Sequence, residues 1–191
     1  MTKIRERLDL IIPRIQETGF LEGRRLGNEI SFYIFDYSPK DELLVRDYIK
    51  LIKREFDKVD SSIKIIEFDL YNLMLDLGKE MDIFEAIFEM EDAEGKDVLY
   101  NALEEFCADP SIFMEKIKDE SDTHDLIFIT GVGKVFPFLR SHTLLNNLME
   151  KIHGKPLIMF YPGEYNELSL KLFGKLDDNN YYRAFRLIDM K

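Results

Sequence analysis

The chain has 191 residues, 46% hydrophobic and 13% aromatic, a composition that argues against global disorder. At this length one core can bury roughly 70% of the surface that the unfolded chain exposes. The net charge of −11 is concentrated: Asp76 to Asp122 holds 16 acidic and four basic residues, a net of −12, which leaves the rest at +1 and argues against a phosphate backbone as partner.

No apolar run reaches the ~18 residues of a membrane-spanning helix. Met1 to Phe20 lacks the apolar centre and small-residue cleavage site of a signal peptide, so a cytoplasmic protein is expected. A lone Cys107 forbids an internal disulfide and, set among Leu103, Phe106 and Ala108, reads as a buried, inert thiol.

Thr2 to Gln16 carries Ile4, Leu8, Ile11 and Ile15 at helical spacing, with Pro13 expected to bend or end the helix. Gly19, Gly23 and Gly27 mark loops. Ile30 to Phe35, rich in β-branched and aromatic residues, is the first predicted strand. Ser38 and Pro39 open the next helix as cap and first-turn proline, with Asp41 and Glu42 at its positive end and Val45, Tyr48, Ile49, Ile52 and Phe56 on its apolar face.

Ile63 to Phe68 is the second strand. Leu70 to Met90 follows as one or two helices, with Leu73, Met74, Leu77, Met81, Phe84 and Phe88 at helical spacing. Gly95 to Phe106 and Ile112 to Lys118 are further helices, the latter capped by Asp109 and opened by Pro110. Together these form an acidic helical insert.

Leu126 to Thr130 is apolar up to its last residue, as suits a strand covered on both faces in a parallel sheet. Thr130, Gly131, Val132, Gly133 and Lys134 end it, Val135 to Leu139 carry apolar bulk, and a helix from Thr143 to Ile152 holds Leu144, Leu145 and Leu148. Leu157 to Tyr161 is the fourth strand. Leu168, Leu170 and Leu172 alternate with Ser169 and Lys171, and Tyr181 to Ile188 is strand-like, with Asp177 to Asn180 as the turn between them. A terminal hairpin or added strand is expected there, a short helix through Asn166 to Phe173 being the alternative. Alternating strands and helices predict a three-layer α/β sandwich with a mainly parallel sheet, one domain over residues 1–191, resembling a P-loop NTPase-like core.

That core lacks its phosphate loop. Two glycines closing on Lys and Ser or Thr occur nowhere, and the three-glycine dinucleotide pattern is also absent. Asp36 to Glu42 stand in its place: Pro39 has no N–H to offer, Ser38 serves as a cap, and Asp36, Asp41 and Glu42 repel an anion. Gly131, Gly133 and Lys134 are accounted for by a tight turn. His124, His142 and His153 lie at unrelated spacings without a Cys pair, and no serine or cysteine elbow is visible. No catalytic residue, metal or cofactor is therefore assigned. Asp36, Asp69 and Glu164, each at a strand end, keep a Mg²⁺-dependent hydrolase as an alternative. Against it, Asp36 is expected to bond the turn at Tyr37 to Lys40, and Glu164 a nearby amide.

The candidate binding residues are Arg140, His142, Asn146, Asn147, Glu164, Arg183 and Arg186. His142 and Asn146, four apart, share a helical face, and a network tying this helix to the loops is the plain reading of the cluster. Arg183 and Arg186 stand among Tyr181, Tyr182 and Phe185, a mixture enriched at interface hot spots, although half of a strand there faces the core.

Gly131, Val132 and Gly133, then Val135 to Arg140, then His142 to Leu148 resemble the signature of the BrxB family of bacteriophage exclusion (BREX) systems. Leu26 to Glu29 leading to Phe35, Asp36 and Tyr37, the run Phe160 to Tyr165, and Leu172 to Gly174 with Tyr181 to Phe185 agree with it, so the resemblance covers nearly the whole chain. It implies a non-catalytic subunit of a phage-defence complex. Such a subunit acts as scaffold or regulator through other BREX proteins, first among them PglZ, the alkaline-phosphatase-like member. A divergent nucleotide-binding regulator is the runner-up. No nucleic-acid or membrane partner is expected, and a homodimer stays open.

Overall fold

The structure is a computed structural model and describes residues 3–21, 32–58, 61–152, 154–178 and 184–189. The chain opens with α1 (Lys3–Asp9) and α2 (Ile11–Ile15). The break falls at Leu10, earlier than the expected bend at Pro13. Without an N–H, Pro13 cannot bond back to the carbonyl of Asp9, so the helix restarts at Ile11 and keeps the proline in its first turn.

β1 (Phe32–Tyr37) is buried at every residue. A 3-10 turn over Pro39–Asp41 leads into α3 (Glu42–Phe56), which buries Val45, Ile49, Ile52 and Phe56. Ser38 holds the extended cap conformation but makes no side-chain capping bond. β2 (Ile65–Asp69) is followed by four helices: α4 (Leu70–Glu80), α5 (Phe84–Glu94), α6 (Lys96–Ala108) and α7 (Ser111–Ser121). The predicted stretch Leu70 to Met90 thus divides in two, at Asp82, whose φ of 57° no right-handed helix accepts. Asp109 accepts the N–H of Ser111 at 2.9 Å ahead of α7, and this bond holds its carboxyl below the usual carboxylate range.

β3 (Leu126–Thr130) has the predicted bounds. After it come α8 (Val132–Val135), α9 (Ser141–Lys151), β4 (Leu157–Tyr165), β5 (Leu170–Leu172), β6 (Leu176–Asp178) and β7 (Phe185–Arg186). The main sheet has the order β2-β3-β4-β1-β7, and every neighbouring pair is parallel. β5 adds antiparallel to the far end of β4, with Gly163 opposite Leu172, and β6 pairs with β5.

This corrects the first half of the expected turn at Asp177 to Asn180, whose second half, Asn179 and Asn180, lies outside the described residues. A reversal lies between β5 and β6, where Phe173 and Gly174 take positive φ, and Asp177 and Asp178 are in a strand. β7 joins β1 instead, with Tyr33 opposite Phe185 and Ile34 opposite Arg186. Tyr181, Tyr182 and Arg183 lie outside the described residues.

Side chains alternate across the sheet, so each strand feeds two cores. Ile34, Ile127, Ile129 and Met159 pack with Leu73, Met114, Val135 and Leu145 of α4, α7, α8 and α9 on one face. Phe35, Phe128, Ile158 and Phe160 pack with Leu8, Ile15, Val45 and Ile52 of α1, α2 and α3 on the other. Helices cover both faces, as a three-layer arrangement requires. Among the described residues no helix is long and apolar enough to cross a membrane.

Candidate functional site

Parallel pairing brings the ends of β1, β2, β3 and β4 to one edge, where open α/β sheets bind their ligands. The most buried charge there is Asp36, the fifth residue of β1. Arg186 Nη1 donates to both of its carboxylate oxygens at 2.8 Å, Arg7 Nη2 to Oδ1 at 2.8 Å, and the Tyr165 backbone N–H to Oδ2 at 3.1 Å. Arg7 Nη1 also donates to the Asp36 carbonyl at 2.7 Å, and Arg186 Nη2 to the carbonyl of Tyr165. The Arg7 guanidinium lies 4.7 Å from the centre of the Phe35 ring.

Asp36 therefore does not bond the turn at Tyr37 to Lys40, as its position after the strand suggested. A buried carboxylate must be paired and hydrogen-bonded, and two guanidiniums from distant elements satisfy it more fully than a local amide. Arg186 is corrected with it. The strand turns this side chain inward, leaving it 10% exposed and committed to Asp36, while Phe185 faces outward. A groove of about 1110 Å³ borders the cluster, between α1, α2 and the segment from Leu187 to Asp189.

Asp69 ends β2 and caps α4, accepting the N–H groups of Tyr71 (3.1 Å) and Asn72 (3.3 Å). Lys134 of α8 pairs with its other oxygen. The lysine of the glycine-flanked turn is thus held by a carboxylate. Gly131 makes the approach possible: its φ is 73°, and a Cβ there would stand 2.6 Å from Asp69 Oδ1.

Glu67 accepts from Lys53 Nζ and from Thr130 Oγ1, each at 2.9 Å. These residues line a cleft of about 600 Å³ that runs over the ends of β2 and β3 between α3 and α4 with α7. The size suits a small ligand. Its wall charges face one another: Lys116 bonds Glu80 at 2.6 Å and Glu120 at 3.0 Å, and both hold its ammonium well above the usual lysine range. Burial and the 2.6 Å hydrogen bond to Glu42 likewise push the Tyr37 phenol up.

Among the described residues no group of three or more His, Cys, Asp or Glu side chains is placed to hold a metal ion. Glu164 is exposed on β4 opposite Lys171, and its carboxylate lies beside Gly174.

Arg140 is exposed ahead of α9, and Asn146 is exposed on it. Asn147 Nδ2 donates at 2.6 Å to the Thr143 carbonyl one turn back, a bond within its own helix and not to the loops. His142 belongs to α9, with its side chain outside the described residues.

Sequence reading missed Arg7 and Tyr165. Arg7 carried a signal, since it stands three residues after Ile4 and four before Ile11, on the margin of the apolar face of α1. Tyr165 carried none, because it contributes its backbone to the Asp36 cluster.

A family model described as BREX protein BrxB matches residues 66–187. The BREX protein BrxB of Bacillus cereus (strain H3081.97) is 47% identical over 192 residues, spanning 99% of this chain and 100% of that protein. The BREX protein BrxB of Escherichia coli O9:H4 (strain HS) is 34% identical over 188 residues, spanning 95% of this chain and 90% of that protein. No solved structure gives a significant match.

Proposed function

Because the chain belongs to the BrxB family of BREX proteins, we propose that it serves bacteriophage defence as a non-catalytic subunit, scaffolding or regulating the other BREX proteins in the cytoplasm, with PglZ as its partner. One observation carries the non-catalytic part. Three carboxylates at this strand-end edge are held by protein groups: Asp36 by Arg7 and Arg186, Asp69 by Lys134 and the start of α4, Glu67 by Lys53 and Thr130. A general base needs a lone pair within reach of substrate, and a phosphate site needs open N–H groups or cations. Here those groups fasten strands to helices. The fold serves as a platform.

The prolyl 3-10 turn after β1, with Asp36, Asp41 and Glu42 around it, supports the finer reading of the fold as a P-loop NTPase-like core without its loop. A nucleotide-binding regulator is the second reading, favoured by the volume of the cleft above β2 and β3.

Thermal unfolding of the purified chain with ATP, GTP and Mg²⁺ separates the two. A ligand at 100 times its Kd stabilises the bound state by about 2.7 kcal/mol. The subunit reading expects a flat response, no hydrolysis by the chain alone, and retention of PglZ by the tagged chain. A ligand-dependent shift joined to turnover overturns it.

A further inference from the structure

α5 and α6 lie at the margin of the core: no α5 residue is buried, and Cys107 is the one buried residue of α6. Tyr100 on α6 is 42% exposed, with its ring 5.1 Å from that of Phe138. Phe136, just past α8, is 38% exposed. Phe138 is partly buried and packs against the core that α4 to α9 cover, so the exposed rings here are Tyr100, in contact with it, and Phe136, two residues before it in the chain.

The neighbours of Tyr100 at helical spacing, Asp97 and Glu104, are exposed carboxylates, within a stretch whose net charge is −12. Exposed rings rimmed by carboxylates complement a side chain that is flat and cationic at once. A guanidinium stacks on an aromatic face and pairs with a carboxylate in the same pose. A second copy of this chain presenting the same acidic stretch brings like charge to the surface, and so does nucleic acid.

We infer that Tyr100, Phe136 and Phe138, rimmed by Asp97 and Glu104, dock an arginine-bearing surface of a protein partner. This rests on the subunit reading above and specifies its contact surface. The rings supply the buried centre of the interface. The carboxylates steer association and fix orientation.

The test is kinetic binding of the full chain to purified PglZ and, singly, to each other protein of the same BREX locus. Phe136→Ala and Tyr100→Ala are expected to weaken binding of the retained protein by at least ~30-fold each, as hot-spot residues do. Asp97→Lys with Glu104→Lys is expected to slow association about tenfold and to flatten its dependence on salt. Unchanged thermal midpoints for Phe136→Ala and the charge variant separate lost binding from lost folding. Wild-type binding by all the variants overturns this surface and leaves the subunit reading standing. Retention of no BREX protein overturns both. Self-association of the chain that the same substitutions abolish assigns the surface to a second copy and overturns the basic partner.

Discussion

Arg186 and Asp36, 150 residues apart in the chain, meet through two 2.8 Å hydrogen bonds at the end of β1, and Arg7 joins the same carboxylate at 2.8 Å. A helix near the start of the chain and a strand near its end are thereby fastened to one central strand. The triad holds two cations and one anion in a largely buried space, so its stability depends on the single carboxylate.

Asp36→Ala is expected to destabilise the fold by about 3–5 kcal/mol, because it strands two guanidiniums without a counter-charge. Arg186→Ala is expected to cost less, since Arg7 and the Tyr165 N–H still satisfy Asp36. Denaturant unfolding at neutral pH measures both. An Asp36→Ala midpoint equal to that of the wild type contradicts the stapling role.

Gly133 is expected to resist substitution for a reason that a second change relieves. A Cβ there would stand 2.7 and 2.9 Å from ring atoms of Phe173 and 3.2 Å from Pro162. Gly133→Ala is expected to cost about 1–3 kcal/mol by overpacking. Phe173→Ala in the same chain should return part of that cost, giving a coupling above about 0.5 kcal/mol in a double-mutant cycle. Strictly additive costs would show that the ring is not what the glycine accommodates.

Cys107 is buried, and burial pushes its thiol from an ordinary value near 9 up to about 11. The unfolded chain therefore ionises first. Its contribution to stability is present in full below pH 9, falls as pH rises from 9 to 11, and is gone above that window. Unfolding free energy measured across the window for the wild type and for Cys107→Ala isolates this component from the tyrosines and lysines that titrate nearby. The wild type should lose stability more steeply than the variant. Equal slopes contradict a buried neutral thiol, as does labelling of the native protein by a thiol reagent at neutral pH.

What the sequence reveals follows the range of the interactions involved. β3 is legible to the residue because its apolar run is bounded by Asp125 and Gly131, and the body of α3 because Val45, Ile49, Ile52 and Phe56 repeat at helical spacing, although Pro39 opens the 3-10 turn ahead of it and not α3 itself. Asp177 and Asp178 read as turn residues by composition, yet register against β5 draws them into β6, after a reversal at Phe173 and Gly174. Tertiary pairing overrides local preference there.

The site is harder still. Asp36 is recognisable as a strand-end carboxylate, but its partners come from residues 7 and 186, which no local spacing connects to it. Arg186 is recognisable as an interface type, and only the pairing of β7 with β1 decides that it points inward. Asn147 needed a partner, and found one four residues back in its own helix.

The central claim, that this chain works by binding another BREX protein and not by catalysis, is tested most directly by sedimentation of the purified full chain mixed with purified PglZ. The account predicts a complex of fixed stoichiometry that forms without added nucleotide or metal and loosens as salt rises, because the acidic helices steer its assembly. Separate sedimentation of the two proteins at micromolar concentration and low salt would contradict it.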